Sequence, residues 1–446
     1  MNQYSKAPNI LLTLAFVADL LTPFLIWQGI VPGILRWISH GAIFIMILAV
    51  MMRMLAFKRI PFTFWIIFLL SVIGIATAML TGQGVQPTIW GWWLMYQFPL
   101  VCLFCYLQPT WPKKFAGGFL TAMIVVVGLE VLVQLFQYLT GEIPGDNLAG
   151  TFGENGTGNL VLFLVIVLCF CLGDWLENRR WINLAIILIF GVISSVLGEM
   201  KLFYMAVFIL GFMTIFFFAL KGKHLWTFIP YSFLLMTVMI IFIPVYNAVV
   251  PSAREIPLER YFYDPQLLTK YLNLANRVPT GSVVFYDLGR NYAASYAWDQ
   301  ISTDPQTMIL GYGLGARSES KTLGILGRAL IEGNLGATSG TSLLVLLQET
   351  GLSGMFVFAI FILIVIVKLF LDIRSYPGSD INGLRYGLIL FTIFWPVWIW
   401  YNAAWSLRVP MLIYWAILGF VFGKLEYYPF IGSFSRKAIN RQQTDS

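Results

Sequence analysis

The sequence predicts an all-α, polytopic membrane protein of about 12 transmembrane helices, with both termini cytoplasmic and one long outer loop between spans 9 and 10. Three observations predict it. Only 11% of the 446 residues are charged and 59% are hydrophobic, whereas about 25% charged is usual for a soluble domain. Apolar runs recur from end to end, each long enough to cross a hydrocarbon core of about 30 Å. The basic residues fall mostly in alternate loops, the pattern that membrane insertion imposes.

The runs lie near 10–30, 37–56, 61–80, 89–108, 116–138, 157–173, 181–197, 201–220, 225–249, 341–370, 385–402 and 408–424. The pair 181–197 and 201–220 is short enough to form a re-entrant hairpin instead of two spans. Asp19 interrupts the first run and no small-residue cleavage site follows, so it reads as a span and not as a signal peptide. The organisation is therefore nine spans over 1–250, an extracytoplasmic loop with short helices over 251–340, three spans over 341–424 and a cytoplasmic tail over 425–446.

Seventeen of the 28 Lys and Arg residues fall in alternate loops counted from the N-terminus, against three (Arg36, Lys201 and Arg408) in the short loops between them. The richer side is cytoplasmic, so the long insert faces out. The net charge of +7 follows from this bias and implies no nucleic-acid partner. The insert holds the remaining eight cations, Arg254, Arg260, Lys270, Arg277, Arg290, Arg317, Lys321 and Arg328, balanced by eight acids. Arg254, Arg260 and Arg328 have acidic neighbours and read as solvated ion pairs. Asp264 to Asn276 reads as a helix lying on the membrane surface, broken by Pro279-Thr280-Gly281. Gly311-Tyr312-Gly313-Leu314-Gly315 reads as a flexible turn whose backbone N–H groups can approach an anion.

Cys102, Cys105, Cys169 and Cys171 lie within spans and read as small buried apolar residues. No His/Cys/Asp cluster has metal-ligand spacing, and neither a Walker loop nor a dinucleotide fingerprint occurs. No metal and no cofactor are expected. Asp19, Glu130 and Glu349 are costly in lipid and are expected to face the protein interior. Trp90, Trp92, Trp93, Trp395, Trp398, Trp400 and Trp405 read first as interface-belt residues.

Four features carry the chemistry. They are Gly150-Thr151-Phe152-Gly153-Glu154-Asn155-Gly156-Thr157-Gly158-Asn159 entering the sixth span, and Gly198-Glu199-Met200-Lys201 at the outer entrance of the eighth. Next come Gly289-Arg290 with Trp298, Asp304-Pro305 and the Gly311–Gly315 turn, then Gln348-Glu349-Thr350-Gly351-Leu352-Ser353-Gly354 in the tenth span. In this order and sidedness, over roughly residues 120 to 365, the chain resembles the O-antigen ligase and polysaccharide polymerase (Wzy-like) superfamily of membrane glycosyltransferases.

The resemblance implies a polyprenyl-pyrophosphate-linked glycan as substrate at the outer face of a bacterial cytoplasmic membrane, in surface polysaccharide biosynthesis. Membrane lipid, and other polysaccharide-export proteins as candidates, are the implied partners. Lys201 matches the family's basic residue after a short outer turn, usually arginine, and Arg290 matches the arginine before the tryptophan and the glycine turn. Both are implied to face pyrophosphate. The family's ligases carry a histidine nine residues before the glutamate of the fourth feature, where this chain has Gly340 followed by Thr341. That departure favours polymerase over ligase.

The residues also carry the chemistry by themselves. A glycosyl group leaves pyrophosphate as an acceptor hydroxyl attacks its anomeric carbon, so fixed cations at the membrane edge stabilise the departing charge. Lys201 and Arg290 are the first candidates; Arg317 and Arg36 come second as pyrophosphate ligands. Glu199 and Glu154 are the outward carboxylates nearest those cations in sequence and are candidate general bases, although Glu199 equally suits a salt bridge with Lys201. The competing reading is a secondary transporter or lipid-linked glycan flippase, with Asp19, Glu130 and Glu349 as coupling groups. Against it, the longest loop follows the ninth span and faces out, and the two halves show no internal repeat.

Overall fold

A computed structural model describes residues 7–56, 62–108, 111–112, 114–222, 226, 228–249, 257, 259–273, 275–280, 283–320, 322–328, 341–403, 405 and 407–427. Each of the twelve apolar runs is a helix: α1 (Ala7–Trp27), α2 (Trp37–Ala56), α3 (Phe62–Leu80), α4 (Val85–Tyr106), α5 (Phe115–Leu139), α6 (Thr157–Asn178), α7 (Trp181–Leu197), α8 (Lys201–Gly222) and α9 (Phe228–Val249), then, after the insert, three more. Among the described residues eight helices are long and apolar enough to cross a membrane, and three further apolar segments, Trp65–Leu80, Trp181–Leu197 and Arg408–Gly423, are shorter. The chain is an α-helical, polytopic membrane protein.

The insert holds α10 (Arg260–Tyr263), α11 (Pro265–Leu272), β1 (Ala275–Thr280), β2 (Val283–Leu288), α12 (Arg290–Ile301), α13 (Pro305–Leu310), β3 (Glu319–Ser320) and β4 (Ile325–Leu326). The last helices are α14 (Ser342–Ser375), α15 (Asn382–Tyr401) and α16 (Arg408–Tyr427). The surface helix expected to run to Asn276 ends at Leu272. The chain then forms an antiparallel hairpin, pairing Ala275 with Leu288 and Thr280 with Val283. The β-branched and aromatic residues from Val283 to Tyr286 suit strands, and Pro279 lacks the N–H that a continuing helix needs. Asp264-Pro265 and Asp304-Pro305 serve one local purpose. Each aspartate caps a helix, through Gln266 N and Leu267 N at 3.1 Å and through Thr307 N at 2.9 Å, and each proline opens that helix.

α6 forms the centre of the bundle; every residue from Leu160 to Gly173 is buried. It packs along α15, where Gly173 lets the backbones meet: a Cβ there would stand 2.1 Å from the carbonyl oxygen of Gly383. Small residues at such a crossing give close van der Waals packing where lipid supplies no hydrophobic drive. α4 packs along α16 in the same way. The four cysteines are buried, free thiols within this core. Trp395 and Trp398 are also fully buried, so the interface belt expected for them does not hold; Trp395 fills space between α14, α15 and α16.

Candidate functional site

Four chain segments far apart in sequence converge at one end of the bundle on a cleft of about 650 Å³. The loop before α6 and that helix's first turn contribute Asp146, Asn155, Thr157 and Asn159; the α7–α8 turn and the start of α8 contribute Glu199 and Lys201; α12 contributes Arg290; and the end of α15 with the residues after it contributes Tyr401, Asn402 and Leu407.

The loop before α6 is held from below by a stripe on α5. Glu130, Gln134 and Gln137 recur at helical spacing on its buried face. Gln134 Nε2 donates to Leu148 O at 2.5 Å, and Gln137 both donates to Gly150 O at 2.9 Å and accepts from Gly150 N at 3.1 Å. Glu130 accepts from Thr151 N at 2.7 Å and from the Thr151 hydroxyl. Glu130 thus faces the interior, as its cost in lipid demands, and satisfies a loop's backbone there.

The α7–α8 turn is three residues long, Gly198 to Met200. Gly198 N donates to Ser194 O at 2.9 Å and Met200 N to Ser195 O at 2.8 Å, while Glu199 takes a left-handed φ of 51°. Lys201 then begins α8, with its N–H donating to Glu199 O at 3.0 Å. Gly145 N donates to Leu197 O at 3.1 Å, tying this turn to the 145–159 loop.

Arg290 is the first residue of α12. Ala293, Ala297 and Ile301 recur every fourth position and bury that face of α12 against Leu344 and Leu347 of α14. The packing fixes where the helix starts, and so where Arg290 stands. Its guanidinium lies 4.8 Å from the ring centroid of Tyr401, a cation–π contact. Trp400 Nε1 donates to Asn291 Oδ1 at 3.2 Å, a second tie between α12 and the end of α15.

Of the residues singled out from sequence, Lys201, Arg290 and Glu199 line this cleft. Glu154 is exposed beside Asn155 and does not line it. Arg36 ends a 3-10 turn, Gly33–Arg36, and is exposed elsewhere. Arg317 is held apart from the cleft: its backbone N–H donates to Glu349 Oε1 at 3.1 Å and its guanidinium to Gln348 Oε1 at 2.5 Å. Burial lowers its pKa to about 10, which leaves it protonated at neutral pH. Gly340, Arg254, Lys321 and His224 lie outside the described residues.

The glycine turn differs from its expectation. It is buried rather than open, with Gly311, Gly313 and Gly315 all at positive φ, and a Cβ on Gly315 would stand 2.0 Å from Pro87 O. Tyr312 N donates to Gln348 O at 2.7 Å, Gly313 N to Glu349 O at 3.1 Å and Leu314 N to Gly74 O at 3.2 Å. The carboxyl group beside this segment is the protein's own Glu349, and the third and fourth sequence features interlock as a brace behind α12.

The residues that sequence reasoning missed are Asp146, Tyr401 and Asn402. Asp146 stands only four positions before Gly150, yet no spacing rule marks it. Tyr401 and Asn402 lie about 200 positions from Lys201, and only the fold unites them. No protein-family model matches the chain, and a search of curated proteins also gives no match.

Proposed function

We propose that the protein is a membrane glycosyltransferase that polymerises, or ligates, polyprenyl-pyrophosphate-linked oligosaccharide units at the outer face of a bacterial cytoplasmic membrane. One observation carries this reading: two cations 89 positions apart, Lys201 and Arg290, line one polar cleft together with carboxylates at the end of the bundle that holds the insert. In the reaction, the acceptor hydroxyl oxygen bonds to the anomeric carbon as the bond to pyrophosphate breaks. Polyprenyl pyrophosphate departs with the electron pair, and its growing charge is met by Lys201 as a point charge and by the planar guanidinium of Arg290.

The transporter reading draws less support. Asp19, Glu130 and Glu349, the acids that would couple ions, are each committed to hydrogen bonds within the fold. The test supplies a polyprenyl-pyrophosphate oligosaccharide to the purified protein in detergent. Chain extension with release of polyprenyl pyrophosphate is expected. Lys201→Ala and Arg290→Ala are each expected to abolish it while protein in the membrane is unchanged. Normal yield and length in both variants, or ligand movement across vesicles without a new glycosidic bond, overturns the proposal.

A further inference from the structure

Resting on that reading, we infer that Asp146 is the general base that takes the proton of the acceptor hydroxyl. A base must be held in one orientation within reach of the reacting oxygen. Asp146 lines the cleft with Lys201 and Arg290, and the Thr157 hydroxyl, at the first turn of α6, donates to its Oδ1 at 2.6 Å. Oδ2 makes no hydrogen bond among the described residues and is left for a ligand. The loop carrying Asp146 is tied to the end of α7 by the hydrogen bond from Gly145 N to Leu197 O.

The other carboxylates fit the role less well. Glu154 does not line the cleft. Glu199 does, but it has one more rotatable bond, and its side chain has no hydrogen bond among the described residues to orient it. In the step, the acceptor O–H proton passes to Asp146 Oδ2 as the oxygen bonds to the anomeric carbon and polyprenyl pyrophosphate leaves. Asp146 then returns the proton to water.

The experiment compares two acceptors, a sugar hydroxyl and azide, with the same lipid-pyrophosphate donor and purified full-length protein. Azide is already an anion and needs no base; its attack forms a glycosyl azide and releases the same polyprenyl pyrophosphate. Asp146→Asn is expected to lower kcat with the sugar acceptor by about 100-fold or more, with KM for the donor little changed, and to leave the azide reaction near the unmodified rate. Asp146→Glu is expected to restore part of the sugar reaction. Equal loss with both acceptors, or no loss with either, overturns the assignment of Asp146. Should Asp146→Asn fail to accumulate, Thr157→Val decides: selective loss of the sugar reaction supports the assignment, and unchanged or equally lowered rates with both acceptors overturn it. Failure of the unmodified protein to release polyprenyl pyrophosphate with either acceptor is a different result, and it removes the proposed function itself.

Discussion

Asp19 and Arg408 stand 389 positions apart and meet at 2.6 Å between Oδ1 and Nε. The same guanidinium donates to Ser39 Oγ at 2.8 Å and to Gln97 Oε1 at 3.2 Å, and lies 5.6 Å from the Phe98 ring centroid. Arg408 therefore does not merely reach for the membrane surface, as its place at the start of the last run suggests; it joins α1, α2, α4 and α16. Removing one partner of such a pair strands the other charge, which costs about 3 kcal/mol or more. Asp19→Ala is expected to lower the melting temperature in detergent clearly. Asp19→Leu combined with Arg408→Met is expected to recover most of the loss, because an apolar pair of similar volume needs no solvation. Equal melting temperatures for Asp19→Ala and the unmodified protein count against this account.

At the scale of elements, the cleft depends on helices that do not touch it. α12 presents Arg290 because its Ala293–Ala297–Ile301 stripe is seated on α14, and α14 is in turn clamped to the 311–317 segment through Gln348 and Glu349. Ala297→Leu inserts three carbons into a fully buried contact. Overpacking of this kind costs about 1–3 kcal/mol and tilts or lifts α12, so polymer yield is expected to fall at least tenfold although the side chain lies outside the cleft. Quantitative glycan gels beside a membrane-fraction blot check this; full yield with normal protein level speaks against the packing argument. At α13, hydrogen bonds from Thr307 hold the Asp304 carboxyl below its ordinary pKa. That stabilisation is fully present above the unfolded-state value and is lost only as pH falls through the lower folded one, so it acts at neutrality but adds no pH dependence there.

For the whole molecule, the functional reading requires the insert to face out and both termini to face in. Single cysteines introduced at Ser302 and Thr322, which are exposed, are expected to react with a membrane-impermeant maleimide added to intact cells, once the four buried native cysteines have been replaced. A cysteine at Asn178, at the opposite end of α6 from the cleft, is expected to react only after the cells are opened. Labelling of Asn178 in intact cells, with Ser302 and Thr322 silent, reverses the orientation and removes the outer-face glycosyl transfer with it.

All twelve apolar runs are legible in the sequence as helices, because hydropathy is a property of local composition and a lipid solvent reads it directly. Lys201, Arg290 and Glu199 were candidates from the sequence, because they sit where apolar runs begin or in one of the four features, and all three line the cleft. Other decisions belong to tertiary structure. Asp264 to Asn276 reads as an amphipathic stripe throughout, yet the strand preference of Val283 to Tyr286 draws Ala275 and Asn276 into a hairpin. Trp395 and Trp398 look like interface residues by type, and only tertiary packing buries them. The glycine turn looks open by composition, and only its neighbours Pro87, Gly74 and Glu349 make it a brace. Asp146 and Tyr401 gain their candidacy from spatial meeting alone. The sequence by itself determined which segments form the long apolar helices, because that is set by local composition and transfer free energy. Which cations share one cleft, and that Asp146 and Glu199 line it with them, was decided by tertiary packing of segments far apart in the chain, where no local signal reaches.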